Sequence, residues 1–450
     1  MKKSKGFTLI ELLAIIVILA IIAVITVPLI LGIINDAKLN SITDSAYGYK
    51  DSIQNYSIYL QTLDSTNPGL KGSYTVDELK TKGLEVKGQE PNQGTVLIDN
   101  EGVSGCLKYD EYASYLYNNK VINTVKGSCP TEKLVTSGDG LYVSKLDFGR
   151  LVYRGANPNN RIFLKEDGVN NVLYRIVSYE IDGTIKVVRD EKINSRKWDD
   201  DTIRQNTDGG YYCITKYGCN VWGNQSDTLY NGEYLGDNFH YSYYASSDIN
   251  NLVNGESGKV ESISTLNKFL NGKDEDSWQG AIFLDKYIDN HIFYAGGVFY
   301  TSSYLGGDKG LKLERDEEKL YTWTGKVGLL NITEHAEATT NENCDVFLSY
   351  GYNSIYNYKD EGATSLTIHP PVDGWPCKTN NWTFKSQYNQ WTFSPMPHTH
   401  NYVWYVDTQG RYFGSSAYWA NPAVRPAFYL KADIRLSGSG SEGDEYQINE

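Results

Sequence analysis

Positive charge is scarce in this chain. Lys and Arg number 42 against 55 Asp and Glu, giving a net charge of −13, and no basic stripe interrupts that balance. An acidic chain of this kind repels nucleic acid and anionic headgroups, so nucleic-acid binding is not expected. The sequence contains no G-x-S-x-G, no H-E-x-x-H and no phosphate-binding loop. The nucleophile-elbow, zinc-protease and nucleotide-phosphate chemistries those motifs carry are therefore not expected. No C-x-x-C pair occurs among the six Cys, which excludes zinc-ribbon spacing. Methionine is almost absent, with two residues including Met1, and alanine is rare beyond the first 40 positions. A helix bundle is a poor fit to such a composition.

What is abundant points the other way. Tyr contributes 37 residues and Trp 9, and Gly, Asn and Ser are frequent. This composition favours strands joined by polar loops. At 450 residues the chain accommodates two or three domains. The expected fold class is α+β.

The N-terminus opens MKKSKGFTLIELLAIIVILA. Residues 12–34 carry no charge, enough for a helix to cross a bilayer. Lys2, Lys3 and Lys5 precede the apolar run and favour a cytoplasmic N-terminus, so the C-terminal bulk is expected outside. A cleaved secretory signal fits badly: the run is too long and no small-x-small site follows it. A plain anchor explains the run but not Glu11, because a carboxylate at membrane depth is expensive.

Lys5-Gly6-Phe7-Thr8-Leu9-Ile10-Glu11 resembles the cleavage and methylation motif of type IV pilins and type II secretion pseudopilins, and the resemblance covers residues 1 to about 65. It implies a leader at 1–6, a cut by prepilin peptidase between Gly6 and Phe7, and methylation of the new Phe7 amine. It also implies an assembly helix at 7–34 that passes through the membrane. Four residues from Phe7, Glu11 could be neutralised by that amine within one chain; the resemblance implies that it pairs instead with the amine of a neighbouring subunit. Elementary electrostatics agrees that this carboxylate needs a cation, and low dielectric strengthens such a pair. Pro28 sits where the family places a proline that lets the helix unwind on packing, and proline does remove a backbone donor. Partners implied are prepilin peptidase, other pilin subunits, the pilus assembly platform and the membrane.

Beyond the membrane the helix is expected to continue over 35–66. Ile42, Ala46, Tyr49, Ile53, Tyr56 and Leu60 step by four and three, a single helical face, and the spacing predicts packing on the chain's own sheet. Asn67-Pro68-Gly69 is a stop. Residues 67–130 read as a small α+β head. Thr75 and Glu78 hold capping-box spacing, 95–99 and 103–109 pair about Asn100-Glu101-Gly102, and 115–117 with 121–122 add one further strand. Ser137-Gly138-Asp139-Gly140 reads as a linker.

Residues 138–450 read as a large strand-rich extracellular domain. The runs 172–181 and 185–189 flank Asp182-Gly183-Thr184, a hairpin. A helix is expected over 262–271 with Leu266, Phe269 and Leu270 inward, and strands over 327–331 and 423–430. Residues 266–271, 326–334 (KVGLLNITE), 424–430 (VRPAFYL), Gly438-x-Gly440 and Glu445-Tyr446 resemble an extracytoplasmic family of unknown function from Gram-positive bacteria. That resemblance covers about 145–450, interrupted around 223–260 and 341–400. It implies a fold related to C-type lectins and formylglycine-generating enzymes. The reactive Cys spacing of the latter differs here, so that activity does not carry over.

Cys106, Cys129, Cys213, Cys219, Cys344 and Cys377 read as three disulfides in an exported chain, and sequence neighbours propose 106–129, 213–219 and 344–377. Of six His, only His398-Thr399-His400 offers metal-ligand spacing; nothing nearby completes a set, and Pro395 and Pro397 make it a loop. Asp199-Asp200-Asp201 and Lys273-Asp274-Glu275-Asp276 read first as solvated loop charge, with Ca²⁺ as the alternative, since neither follows the EF-hand order. No other cofactor, no resident metal and no catalytic residue is expected. Glu90-Pro91-Asn92, a tripeptide used for mannose binding in C-type lectins, reads as chance in a Gly-rich turn. Trp375, Trp382, Trp391, Trp404 and Trp419, and Tyr241, Tyr243 and Tyr244 after His240, are read one by one as core, with some able to form a stacking surface for a glycan or protein.

The sequence therefore leads to a non-enzymatic pilin-like subunit, minor or at the tip. It is expected as a single-pass protein with its N-terminus in the cytoplasm, then in a cell-surface pilus with an adhesive domain displayed. The alternatives are a pseudopilin acting in secretion, and a membrane-anchored carbohydrate-binding protein that does not polymerise.

Overall fold

A computed structural model of the chain describes residues 9–86, 88–144, 146–200, 222, 264–273, 275–294, 322–342, 344, 376–395 and 402–449. Its first element, α1, is one helix over Leu9–Leu63, 55 residues and so about 80 Å long. Leu, Ile, Val and Ala fill its first half, and a helix satisfies every backbone group of such a segment internally. Pro28 lies within it and the helix runs on through that position. A terminating turn follows Leu63. The Asn67 side chain accepts the Gly69 N–H at 2.9 Å, Gly69 takes φ +76°, and Leu70 N–H donates to Ser57 Oγ at 2.8 Å.

Five antiparallel strands follow, in sheet order β1-β2-β3-β4-β5: β1 (Gly72–Thr75), β2 (Gln93–Ile98), β3 (Val103–Tyr109), β4 (Tyr112–Tyr117) and β5 (Lys120–Lys126). A short helix α2 (Val76–Thr81) carries the capping box, with Thr75 and Glu78 exchanging side-chain and backbone bonds. The one strand expected after Tyr109 is two. Asn118 and Asn119, both at positive φ, make a two-residue turn between Tyr117 and Lys120, which only residues tolerant of the left-handed region do cheaply.

Strand alternation buries both faces of this sheet. Val96, Leu107, Tyr112 and Leu116 pack with Ile42, Ala46, Tyr49 and Ile53 of α1. The intervening Leu97, Cys106, Ala113 and Tyr115 join the core of the rest of the molecule. Tyr56 and Leu60 are half-buried against the helix-side core.

The second body is built on a larger antiparallel sheet in the order β13-β17-β10-β9-β7-β6, with β8 also on β9. Its members are β6 (Gly140–Val143), β7 (Leu151–Arg154), β8 (Arg161–Leu164), β9 (Val172–Tyr179), β10 (Ile185–Arg189), β13 (Val327–Gly328) and β17 (Ala427–Leu430). The β9–β10 hairpin forms as the Asp182-Gly183-Thr184 turn predicts. A pair β11 (His291–Tyr294) with β12 (Thr322–Gly325), and a sheet of β14 (Gln390–Pro395), β15 (Tyr402–Val406) and β16 (Tyr412–Ser416), complete the core, while β18 (Arg435–Ser437) pairs β19 (Gln447–Asn449). Overall the chain is α+β: a long apolar N-terminal helix followed by a strand-rich remainder.

Three expectations change in detail. The helix expected over 262–271 is α3 (Thr265–Asn271), capped by Ser264, whose Oγ accepts the Asn267 N–H. Leu266 and Leu270 are buried, Asn267 replaces Phe269 as the third buried residue, and Phe269 is half-buried. The strand expected over 327–331 stops at Gly328, because Asn331 caps a new helix, α4 (Ile332–Glu337). The linker expected at 137–140 is a pinned turn: the Asp139 carboxylate accepts the N–H groups of Ala156 and Asn157, each at 2.9 Å.

The two bodies meet backbone to backbone. A Cβ on Gly127 would lie 2.7 Å from Gly183 Cα, so only glycine fits there. Asn123 Nδ2 donates to Ile181 O at 3.0 Å, and Ser128 Oγ donates to Ile434 O at 2.8 Å.

Candidate functional site

Residues 9–34 of α1 are exposed except for half-buried Thr26, with Leu9 at 87% and Val24 at 74%. Mean hydropathy reaches 3.3, and the helix is long and apolar enough to cross a membrane. Thr26 turns its hydroxyl inward and donates to Ile22 O at 2.8 Å, so the span offers no unsatisfied hydroxyl to lipid. Glu11 stands in the first turn, where the helix dipole favours a carboxylate. Gly6 and Phe7 lie outside the described residues. Because i and i+4 share a helical face, an amine on Phe7 falls one turn from Glu11 if the helix begins there.

The cysteines divide. Cys106 of β3 and Cys129 lie at disulfide distance, Cα–Cα 5.6 Å, fastening the segment after β5 to the middle of the five-stranded sheet. Cys344 and Cys377 do so at 4.7 Å, joining the chain after α4 to the segment before β14. Cys213 and Cys219 lie outside the described residues, as do His240, His398, His400, Asp201, Asp274, Trp375, Tyr241, Tyr243 and Tyr244.

Asp199 is not solvated loop charge. It is buried, and its carboxylate accepts the Thr265 N–H at 3.0 Å and the Thr265 hydroxyl at 3.1 Å, while Asp200 accepts that hydroxyl at 2.7 Å. These carboxylates organise the start of α3. Glu275 and Asp276 are exposed, as read. Among the described residues no three His, Cys, Asp or Glu side chains converge as a metal site. In the tripeptide at 90–92, Glu90 pairs with Lys80 at 3.2 Å and Asn92 Oδ1 accepts the Asp110 N–H. Trp382, Trp391 and Trp404 are buried, and Trp419 is half-buried edge-on to Trp391 and Tyr405, so these serve the core.

Sequence reasoning missed a buried polar network centred on α4. All six residues of this helix are buried, four of them polar: Thr333, Glu334, His335 and Glu337. The Lys186 ammonium pairs with Glu334 and sits over the rings of Phe293 and Tyr429 at 5.2 and 4.9 Å. Arg150 pairs with Glu337 and lies 3.2 Å from Asp147. Gln390 Nε2 donates to His335 Nε2 at 2.8 Å, so the ring proton resides on Nδ1, facing the Tyr412 hydroxyl at 3.1 Å. Burial, and secondarily the Arg425 charge, hold His335 down to about 3, so it is neutral. The Lys186–Glu334, Arg150–Glu337 and Gln390–His335–Tyr412 pairings are all made within the folded body, which makes the network a scaffold for the fold. The N-x-x-E spacing of Asn331 and Glu334, a capping box, was the available sequence sign of α4.

Comparison with known proteins bears on the first segment alone. No curated protein and no solved structure matches the chain. Residues 1–27, which hold the basic stub, the Gly6–Phe7 junction, Glu11 and the first half of the apolar span, match the prokaryotic N-terminal methylation motif, the class of N-terminus that type IV pilin-like proteins carry.

Proposed function

We propose that this chain is a type IV pilin-like subunit, in a minor or tip position. In this reading 1–6 is a leader removed by prepilin peptidase, Phe7 is the methylated N-terminus, and 7–34 is the membrane and assembly helix. Residues 35–66 extend that helix, 67–130 form the head that clothes it, and 138–450 are a binding domain carried outside the cell. The bulk of that domain favours a minor or tip place, since a large head is hard to tile around a filament. The observation that carries the proposal is the pairing of the methylation motif with an apolar helical span that no described residue covers.

Glu11 is the assembly residue. In lipid its charge is stable only beside a cation, and the amine created at Phe7 supplies one at the same depth. A subunit misplaced along the axis would leave both charges unpaired, so the pair selects register. Pro28 is the point at which the helix can yield on packing, because Val24 O has no N–H four residues on.

Glu11→Ala tests this in cells. The variant is expected to accumulate in the membrane and to fall about tenfold or more in sheared surface filaments, as the loss of one ion pair in low dielectric predicts. Unchanged incorporation would refute the assembly role and leave a membrane-anchored protein that does not polymerise. Incorporation only into a periplasm-spanning secretion apparatus would assign the pseudopilin role instead.

A further inference from the structure

A cleft of about 650 Å³ opens where the five-stranded sheet meets the second body. That volume lies within the roughly 300–1,000 Å³ of small-ligand sites. Both bodies build it. Lys108 and Asn92 come from one wall, Arg435 and Asn449 from the other, with Tyr179 and Tyr446 between them. The walls are fixed relative to each other by the Gly127–Gly183 contact and the Ser128–Ile434 bond.

The charges in this cleft are uneven. Glu111 also lines it, but its carboxylate is taken by Lys38 and Lys126, at 3.3 and 3.2 Å. Lys108 donates to Gly127 O, a neutral acceptor, and among the described residues neither Lys108 nor Arg435 is ion-paired. Among the described lining residues Asp110 is the carboxylate left near them. Burial first, then the Arg435 charge, pull the Lys108 amine down to about 8. Two cations are thus held near one another in an otherwise acidic protein, and an anionic group between them would relieve that repulsion.

The remaining lining mixes amide, hydroxyl and phenol groups with Cys129, Pro130, Leu436 and Gly438. Asn92 and Asn449 each spend the side-chain oxygen on the protein, which leaves the amide donor for a ligand. Such a surface suits a polyhydroxylated molecule more than a lone inorganic anion, which would fill little of the volume. We propose that this cleft binds an acidic saccharide, its carboxylate held between Lys108 and Arg435 and its hydroxyls met by the asparagine amides. The inference rests on the display half of the proposed function and is independent of assembly.

The test is calorimetric titration of the full chain in detergent micelles with trigalacturonate, maltotriose and inorganic phosphate. Trigalacturonate is expected to bind, with maltotriose weaker by about tenfold or more for want of the charged contacts. Arg435→Gln, at an exposed position on a short strand, is expected to weaken trigalacturonate by about tenfold and leave the unfolding midpoint unchanged. Lys108→Gln should act in the same direction. Absence of trigalacturonate binding, equal affinity for maltotriose, or indifference to Arg435→Gln would each overturn the proposal. Phosphate binding as tightly as trigalacturonate would overturn its saccharide part and leave a simple anion site. No filament is needed in this assay, so its failure would leave the assembly role standing, and a failure of Glu11→Ala to block assembly would leave the cleft untouched.

Discussion

Two helices of this chain invert the usual rule. The first half of α1 is hydrocarbon and lies open, while α4 is mostly polar and lies fully inside. Each makes sense by its partners. The polar groups of α4 meet Lys186, Arg150, Gln390 and Tyr412 at hydrogen-bond or ion-pair distance, so burial leaves few of them unpaid. The apolar groups over 9–34 lie exposed among the described residues, the state that suits a segment surrounded by lipid. Hydrophobicity alone does not say which helix is core; the supply of partners does.

Breaking the pair beneath α4 should have the largest effect on the folded remainder. Lys186→Met removes the ammonium that faces the Glu334 carboxylate and is expected to cost about 3–5 kcal/mol. Lys186→Met with Glu334→Leu should recover most of this, because two apolar groups of similar volume replace the pair. Chemical denaturation followed by tryptophan fluorescence reads both. A double variant no better than the single would show that Glu334 is held mainly by its cap to Asn331.

The two halves of α1 should differ as sharply. Ile53→Ala empties a fully buried position against the sheet and is expected to cost about 2–5 kcal/mol. Val24→Ala, twenty-nine residues earlier on the same helix, should change the unfolding of the folded body by about 0.5 kcal/mol or less. Equal losses would mean that the apolar half packs on the chain's own body after all.

The smallest expected effect is a pH slope. His335 is depressed from 6.5 to about 3, so the unfolded chain binds its proton more readily. Its stabilising contribution is present above 6.5 and is lost as the pH falls toward about 3, at a limiting slope of about 1.4 kcal/mol per pH unit. Glu132 opposes it. Burial pushes that carboxyl from 4.5 up to about 7, so its contribution is lost as the pH rises across that window. The two partly cancel between 4.5 and 6.5, and the acid loss steepens below 4.5. His335→Gln should flatten that acid limb in denaturation at pH 6, 5 and 4; an unchanged limb would assign it to the carboxylates.

Much of the fold is legible wherever a local pattern meets a local partner. The stripe from Ile42 to Ile53, the Thr75–Glu78 box and the Asp182-Gly183-Thr184 turn act within one or two elements, and periodicity or turn chemistry suffices to read them. What escaped is set by distant partners. Glu334 and Lys186 are 148 residues apart, and Asp199 accepts the first N–H of a helix 66 residues on, so nothing near either residue marks it as buried. The cleft between Lys108 and Arg435 is hidden for the same reason, since its walls come from opposite ends of the folded chain. The N-terminal motif is the reverse case. Its residues are contiguous in the chain, so its information is local by nature.

Mass spectrometry of the mature N-terminus bears most directly on the central claim. Protein recovered from cells should begin at Phe7, carry a methyl group on its amine and lack residues 1–6. A chain that retains Met1 would contradict the account of how Glu11 comes to have its partner.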